Sequence, residues 1–251
     1  MAERISFDRV AGVYDETRAL PPTVLAKAVG VLSQEFQGKR ILEIGVGTGR
    51  IAVPLQKSGL ALIGIDIAPK MVARGLEKGL RNIVFADGAR LPFRDETFDA
   101  ATSNHVLHLV TDWKNVLREV ERVLRPKGVY FSVVERYTSR SSLTDRYRET
   151  VRSLGWTDLD PGLHERDFPS VVPPARIRRV THHEERVVAD RVLDAIEKRL
   201  FAFLWKIPED LHAKALDTLR REFGGTTLDR SFDLEVAYWT RPLVGALART
   251  P

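Results

Sequence analysis

A glycine-rich loop between a short apolar strand and a helix constrains this chain more than any other feature. Residues 41–49 are Ile-Leu-Glu-Ile-Gly-Val-Gly-Thr-Gly. Glycines let the backbone turn sharply and approach a ligand closely, and the first turn of a helix offers free N–H donors. In a dinucleotide-binding loop the third glycine stands three residues after the second. Here Gly49 stands two residues after Gly47 and Arg50 follows it, so the spacing disfavours a nicotinamide-dependent oxidoreductase.

Strand and helix patterns alternate through the first half of the chain. Strands separated by helices predict βαβ units and therefore a mostly parallel sheet, and two later candidates bring the strands to seven. The predicted strands are residues 40–44, 60–65, 83–86, 98–104, 129–135, 177–187 and 232–239. The predicted helices are residues 22–36, 49–59, 69–79, 113–124, 142–154, 189–205 and 208–222.

Beyond residue 135 the alternation gives way to helical segments around a proline-rich stretch. We interpret residues 136–230 as a helical cap or substrate region inserted among the closing strands of the same sheet. The apolar residues from Phe201 to Trp205, expected in one helix, favour a cap, and ordinary core packing explains them equally well. The whole chain, residues 1–251, is therefore expected to be a single domain.

Two carboxylates follow the next two strands after the loop. Asp66 closes the second strand and can accept hydrogen bonds from the hydroxyls of a ribose, or serve as the N-cap of the next helix. In the Asp87-Gly88-Ala89 segment, Asp87 can accept from an exocyclic amine beside small residues, or form a simple turn. These residues and the glycine loop all lie at the carboxyl ends of successive strands, where open α/β sheets bind ligands.

With these residues the chain resembles the class I S-adenosylmethionine (SAM)-dependent methyltransferases, in particular the ubiquinone/menaquinone-biosynthesis-like, methyltransferase-11 type. The resemblance covers roughly residues 5–135 and implies a Rossmann-like seven-stranded sheet with helices on both faces, and SAM as cofactor. The family usually has Pro-Gly-Gly where this chain has Pro126-Lys127-Gly128, away from the cofactor. The segments that carry the resemblance are residues 7–15, the glycine loop, and residues 65–71, 86–93, 98–99, 105–109 and 117–128.

The resemblance implies which residues hold the methionine part of SAM. The backbone from Gly45 through Gly47 to Gly49 is expected to contact it, with Glu43 near its ammonium group. Asn104 is expected to lie beside the same amine.

The resemblance also implies an adenosine site. Asp66 is expected to bind the ribose hydroxyls and Asp87 the adenine amino group. Ile67, Met71 and Ala89 are expected to enclose the adenine ring.

The N-terminal segment is expected to close over the cofactor. Tyr14 would cover the methionine carboxylate. Arg18, four residues later on a short helical turn, would either pair with that carboxylate or make a surface ion pair.

Methyl transfer from a sulfonium is an in-line displacement, so the protein must align the reactants, exclude water and, where the acceptor requires it, remove a proton. His105 and His108 are the candidate bases because imidazole titrates near neutral pH, and a structural role is the alternative for His108. Further candidates are Tyr14, Tyr137 and Glu135. No metal site is expected, and the remaining histidines singled out, His164, His182 and His183, are predicted to be surface or cap residues.

Composition and one missing motif restrict the class of methyl acceptor. The absence of cysteine excludes disulfides, thiolate metal sites and a cysteine nucleophile. The net charge of +5 is dispersed among acidic residues, with one cluster at Arg176, Arg178 and Arg179. The fourth strand lacks the Asp/Asn-Pro-Pro-aromatic signature of adenine and amide N-methyltransferases. We therefore predict a small-molecule O-, N- or C-acceptor; a tRNA or rRNA methyltransferase and a non-catalytic SAM-binding protein are the alternatives.

No apolar run in the sequence is long enough to span a bilayer, and the first four residues lack the start of a secretory signal. A cytoplasmic location is expected, without membrane partners. The sequence predicts nothing about the oligomeric state.

Overall fold

The fold is described by a computed structural model that covers residues 7–138, 142–158 and 160–243. Seven strands form one sheet in the order β3-β2-β1-β4-β5-β7-β6. The strands are β1 (Arg40–Ile44), β2 (Ala61–Asp66), β3 (Ile83–Phe85), β4 (Phe98–Ser103), β5 (Leu124–Tyr137), β6 (Arg176–Val188) and β7 (Thr227–Thr240). The expectations for residues 1–6 lie outside the described residues.

Helices connect the strands in the described part of the chain. The α-helices are α1 (Tyr14–Arg18), α2 (Pro22–Phe36), α3 (Ala52–Lys57), α4 (Pro69–Glu77), α5 (Trp113–Val123), α6 (Leu143–Ser153), α7 (Phe168–Val171), α8 (Ala189–Glu197) and α9 (Glu209–Phe223). Short 3-10 turns occur at Phe7–Val10, Leu107–Leu109 and Ala202–Leu204.

The first five strands pair in parallel. β1 lies between β2 and β4, β3 pairs with β2, and β5 pairs with β4, all in the same direction. The last strand of the chain, β7, reverses direction. Phe131 of β5 contacts Tyr238 of β7, whereas Tyr137 contacts Phe232, so residue numbers rise along one strand as they fall along the other. The predicted seven-stranded, mostly parallel α/β fold is confirmed.

The described residues divide into two compact units. The first comprises residues up to 134 with 162–181 and 234–243, and its core packs β1, β4 and β5 against α5. The second comprises residues 135–138, 142–158 and 160–161 with 182–233, and its core joins apolar residues of α6, α8 and α9. The second unit includes most of the predicted helical region. Its role as a cap and the description of the chain as one domain stay predictions.

Element bounds agree with the sequence patterns within a few residues, with four corrections. Helix α3 is shorter than predicted, β5 begins directly after α5 rather than at residue 129, and β7 begins at Thr227 rather than at residue 232. The predicted helix 189–205 ends at Glu197, because Arg199 has a φ of +51° and a left-handed residue cannot continue a right-handed helix. The Arg199 guanidinium donates to the carbonyls of Leu204 and Ile207, so the following aromatic residues lie in a separate turn.

None of the helices in the described ranges is long and apolar enough to cross a membrane. The cytoplasmic location stays a prediction.

Candidate active site

The glycine loop follows β1 and has the close-approach geometry that its sequence predicts. Gly45 has a φ of +67° and Gly47 a φ of +51°. A Cβ atom at Gly45 would lie 2.3 Å from Cγ2 of Val106, and one at Gly47 would lie 3.2 Å from Cε of Met71. Both the backbone conformation and the lack of space therefore require glycine at these positions.

Asp66, the last residue of β2, joins this loop to the following helix. One carboxylate oxygen accepts from the backbone N–H of Gly47 at 2.7 Å, and the other accepts from Ala68 at 2.8 Å. Burial raises the pKa of Asp66, against the lowering effect of these backbone donors. The carboxylate is thus held in place at the loop, and each oxygen retains further acceptor capacity.

An apolar surface lies next to Asp66. Met71 is buried against Ala11 and Ala68, with Tyr14 packed at the edge of this cluster. Ile67 is 46% exposed, which is unusual for so large an apolar residue in the middle of a site. Two of the three residues predicted to enclose adenine thus differ: Met71 is covered by protein and Ile67 presents apolar surface to solvent.

Asp87 lies beyond the end of β3, the neighbour of β2. Its side chain accepts from the backbone N–H of Ala89 at 2.9 Å, which closes a tight turn. A Cβ atom at Gly88 would lie 2.9 Å from Cγ2 of Ile44, so this turn packs closely on β1. The turn predicted from Asp-Gly is present, and the same carboxylate lies at the strand end predicted for adenine.

Glu43, in β1, is the most unusual carboxylate of the site. It is 3% exposed, and its Oε1 lies 3.5 Å from the Asn104 amide nitrogen. Among the described residues its Oε2 has no hydrogen-bond partner. Burial raises the pKa of Glu43 to about 8, although Asn104 and the positive charge of Arg50 oppose the change. A buried acceptor without a donor is costly, so this oxygen is suited to a cationic or N–H ligand group.

The N-terminal segment is tied to the loop by two residues that sequence reasoning missed. Asp15 accepts from the Thr48 hydroxyl at 2.6 Å and from Lys78 at 2.5 Å. Thr48 is buried inside the glycine loop. Asp15 and Thr48 are 33 residues apart, so only the adjacency of Asp15 to Tyr14 in the sequence hinted at this contact.

Arg50, immediately after the loop, was also missed as a site residue. Its guanidinium donates to the carbonyl of Arg18 at 2.5 Å, and its charge lowers the pKa of Glu43 and of His105. The Arg18 guanidinium in turn donates to the carbonyl of Thr17. Burial raises the pKa of Tyr14, which therefore keeps its proton at neutral pH.

His105 and His108 follow β4, as predicted. His105 has a φ of +59°, an uncommon conformation for a residue with a side chain. Burial and the positive charge of Arg50 lower the pKa of His105, so its imidazole is neutral at pH 7. The two rings meet edge to face, 6.4 Å apart.

His108 has two partners that sequence reasoning did not assign to it. Its Nδ1 lies 3.4 Å from an oxygen of Glu165, and its ring stacks on that of His164 at 4.7 Å. His164 therefore lies in the first unit, half-buried against His108. No local pattern marks Glu165, because the contact joins residues 57 positions apart.

Two further candidate bases, Tyr137 and Glu135, lie in the second unit. The Tyr137 hydroxyl donates to Glu135 at 2.7 Å, and burial together with this carboxylate raises the pKa of Tyr137. His182 is a surface residue paired with Asp233 and Glu184. In the described ranges no group of three metal-ligating side chains is arranged to hold a metal ion.

Comparison with known proteins shows which class of protein this chain resembles. Residues 42–132 match the family model described as a methyltransferase domain. The solved structure of a SAM-dependent methyltransferase from Thermotoga maritima covers 92% of this chain and 97% of its own, with a TM-score of 0.52 at 17% identity. At that identity the likeness concerns the fold.

Curated relatives match about half of the chain. An uncharacterised protein of Methanocaldococcus jannaschii is 33% identical over 131 residues, which are 52% of this chain and 62% of the relative. A demethylmenaquinone methyltransferase of Corynebacterium kroppenstedtii is 34% identical over 126 residues, which are 49% of this chain and 55% of the relative. The matches thus span little more than half of these relatives.

Residues 42–132 are thus similar to a methyltransferase domain, and the fold agrees with that of a solved methyltransferase. This likeness is in line with the resemblance seen in the sequence.

Proposed function

We propose that this protein is an enzyme that transfers a methyl group from SAM to a small-molecule acceptor. The observation that carries the proposal is the buried Glu43 oxygen without a partner among the described residues, next to the glycine turn. A methionine ammonium would supply the missing donor and, by its charge, favour the ionised carboxylate. Asn104, already against Glu43, would lie beside the same group.

The remaining residues fit the rest of the cofactor. Gly45 and Gly47 leave no side chain between the loop and a bound ligand, and Asp66 retains acceptor capacity for ribose hydroxyls. Ile67 presents apolar surface suited to one face of adenine. Asp87 would accept from the adenine amino group.

SAM supplies an electrophilic methyl group: the sulfur keeps the electron pair of the breaking S–C bond while the acceptor forms the new bond. The protein holds both reactants in line and accepts the proton that the acceptor loses. Neutral His105 is suited to that task, and His108 beside it is the second candidate. Tyr14, Arg18 and Thr48 would cover the methionine end and exclude water.

A small acceptor is favoured over a nucleic acid by the arginine cluster at the start of β6. Arg176 pairs with Glu35 and lies over the ring of Tyr238 at 4.0 Å. Arg178 also faces Glu35, at 3.9 Å. Glu35 thus offsets part of this positive charge, which disfavours a basic stripe for a nucleic acid.

The proposal is tested by incubating the protein with methyl-labelled SAM and a panel of metabolites that includes reduced demethylmenaquinone analogues, because a relative carries that name. Label in a small molecule, with S-adenosylhomocysteine formed in equal amount, is the expected result. Label in tRNA or rRNA alone would contradict the proposal, and so would SAM binding without turnover on any acceptor.

A further inference from the structure

Glu165 makes three contacts with one short turn of the chain. Its Oε1 accepts from the backbone N–H of Val106 at 2.5 Å and of Leu107 at 2.9 Å. Its Oε2 faces Nδ1 of His108 at 3.4 Å. The residue is only 8% exposed. A buried carboxylate that serves two consecutive N–H groups and a ring nitrogen is held in one orientation.

The two backbone contacts fix the turn that begins directly after His105. This 3-10 turn, Leu107–Leu109, would otherwise leave its first N–H groups without acceptors. Gly162 closes the other side by donating to the His108 carbonyl at 3.0 Å. A Cβ atom at Gly162 would lie 2.0 Å from the Leu107 carbonyl oxygen, so only glycine lets this segment approach. The left-handed His105 is thus held from one side by β4 and from the other by Glu165.

The third contact selects the tautomer of His108. A carboxylate facing Nδ1 is an acceptor, so Nδ1 must carry the proton and Nε2 must have the lone pair. The stacked ring of His164, tilted by only 8°, fixes the plane of the imidazole. Nε2 is therefore the ring atom of His108 that can accept a proton.

The groups around His105 and Glu165 shift the pKa values of both residues. Arg50, Arg18, Glu165 and His108 face His105, and the arginines lower its pKa. Burial would raise the pKa of Glu165, but the hydrogen bond from His108 and the one from the Val106 N–H help to lower it. The carboxylate is thus ionised at neutral pH.

We propose that Glu165 is the positioning residue for the proton acceptor of the methyl transfer. One carboxylate oxygen holds the turn that presents His105, and the other holds His108 with Nδ1 protonated and Nε2 as the acceptor. The proposal rests on the proposed function, since a proton acceptor matters only if an acceptor molecule is methylated.

Glu165→Gln gives a prediction that a purely structural role does not share. The Gln oxygen must still accept from Val106 and Leu107, which leaves the amide NH₂ group facing Nδ1 of His108. Because that group is a donor, Nδ1 must become an acceptor and the proton must move to Nε2. The fold keeps its backbone hydrogen bonds, whereas the ring atom that should accept a proton is blocked, the effect of a wrong tautomer in a general base.

The test is the ¹⁵N NMR spectrum of the imidazoles in the full-length protein, with His108 assigned by comparison with His108→Asn. We expect the Nδ1–H tautomer in the wild type and the Nε2–H tautomer in Glu165→Gln, with SAM affinity changed by less than about twofold. Glu77→Gln, on the surface of α4, is the matched control and should leave the tautomer unchanged. With an acceptor from the labelled panel, kcat should fall by about 100-fold or more at similar KM.

An Nε2–H tautomer of His108 in the wild type would overturn the proposal, and that measurement needs no variant to fold. So would a folded Glu165→Gln variant that keeps the Nδ1–H form. Both readouts are independent of methyl transfer. A failure of the proposed function would leave the tautomers as predicted and abolish only the turnover.

Discussion

The Asn104 amide nitrogen lies 3.5 Å from one oxygen of the buried Glu43 carboxylate, and in the described part of the chain the second oxygen has no hydrogen-bond partner. Burial raises the pKa of Glu43 to about 8. In the ligand-free protein Glu43 is therefore protonated at neutral pH, at the position where the cofactor ammonium is expected. This makes Glu43 the most informative residue to change.

Glu43→Gln should weaken SAM binding by roughly 10- to 100-fold, because a hydrogen bond to a charged group contributes about 1.5–3 kcal/mol. At about pH 6.5 the wild type should also release a proton on binding, since the ammonium favours the ionised carboxylate. Isothermal titration calorimetry in two buffers of different ionisation enthalpy measures both effects.

The control for this change is Glu77→Gln, which alters an exposed carboxylate paired with Arg74. It should bind SAM as the wild type does. Equal proton release by the wild type and Glu43→Gln would contradict this role, because the released proton would then come from a group other than Glu43.

The contribution of Glu43 to the free energy of unfolding of the ligand-free protein should fall as pH rises from about 5 to 8. The folded-state pKa of about 8 lies above the unfolded value, which is about 4.3. Between the two values the folded state binds more protons than the unfolded state, so the free energy of unfolding falls by up to about 1.4 kcal/mol per pH unit.

Glu43→Gln should remove this part of the slope and stabilise the ligand-free protein at about pH 8. Urea denaturation of both proteins across the pH range measures it. Identical slopes would mean that Glu43 is already ionised in the folded protein.

Gly45→Ala should destabilise the protein by more than Gly38→Ala. Both glycines have positive φ, which costs about 1–2 kcal/mol for a residue with a Cβ atom. At Gly38 the added atom meets nothing within 4 Å, whereas at Gly45 it lies 2.3 Å from Val106. Chemical denaturation should therefore show an excess for Gly45→Ala, and Val106→Ala in the same chain should reduce it. Equal effects at the two glycines would contradict the close contact.

Thr48→Val should raise the dissociation rate of SAM by about fivefold, since a buried hydrogen bond contributes about 1 kcal/mol. The change removes the 2.6 Å contact with Asp15 that ties the N-terminal segment to the loop. Stopped-flow fluorescence with excess competitor measures the rate. Thr97→Val, which alters only a local contact with Arg94, should leave it unchanged.

The local patterns predicted most of the fold because its elements depend on nearby residues. Helix α2 has the predicted bounds, and β1 and β2 end within one residue of their predicted ends. Helix α8 was predicted too long because the apolar spacing continues through Phe201, while the left-handed Arg199 is stabilised by carbonyls that lie beyond it.

The positions of candidate site residues could be predicted where these residues directly follow strands that the sequence pattern marks. The glycine loop, Asp66 and Asp87 occupy three consecutive strand ends, and sheet topology alone brings them to one edge. Glu165 was missed because its three contacts join segments 57 to 59 residues apart. Its role follows from tertiary packing, which no local spacing encodes.

The central claim is that the glycine loop holds SAM, and a binding titration with Gly47→Arg tests it most directly. An arginine there would need a φ of +51°, with its Cβ atom 3.2 Å from Met71 and 3.9 Å from Asp66. Calorimetry should show saturable SAM binding by the wild type and none by Gly47→Arg, with circular dichroism confirming that the variant is folded. Absence of binding by the wild type, or equal affinity in folded Gly47→Arg, would contradict the claim.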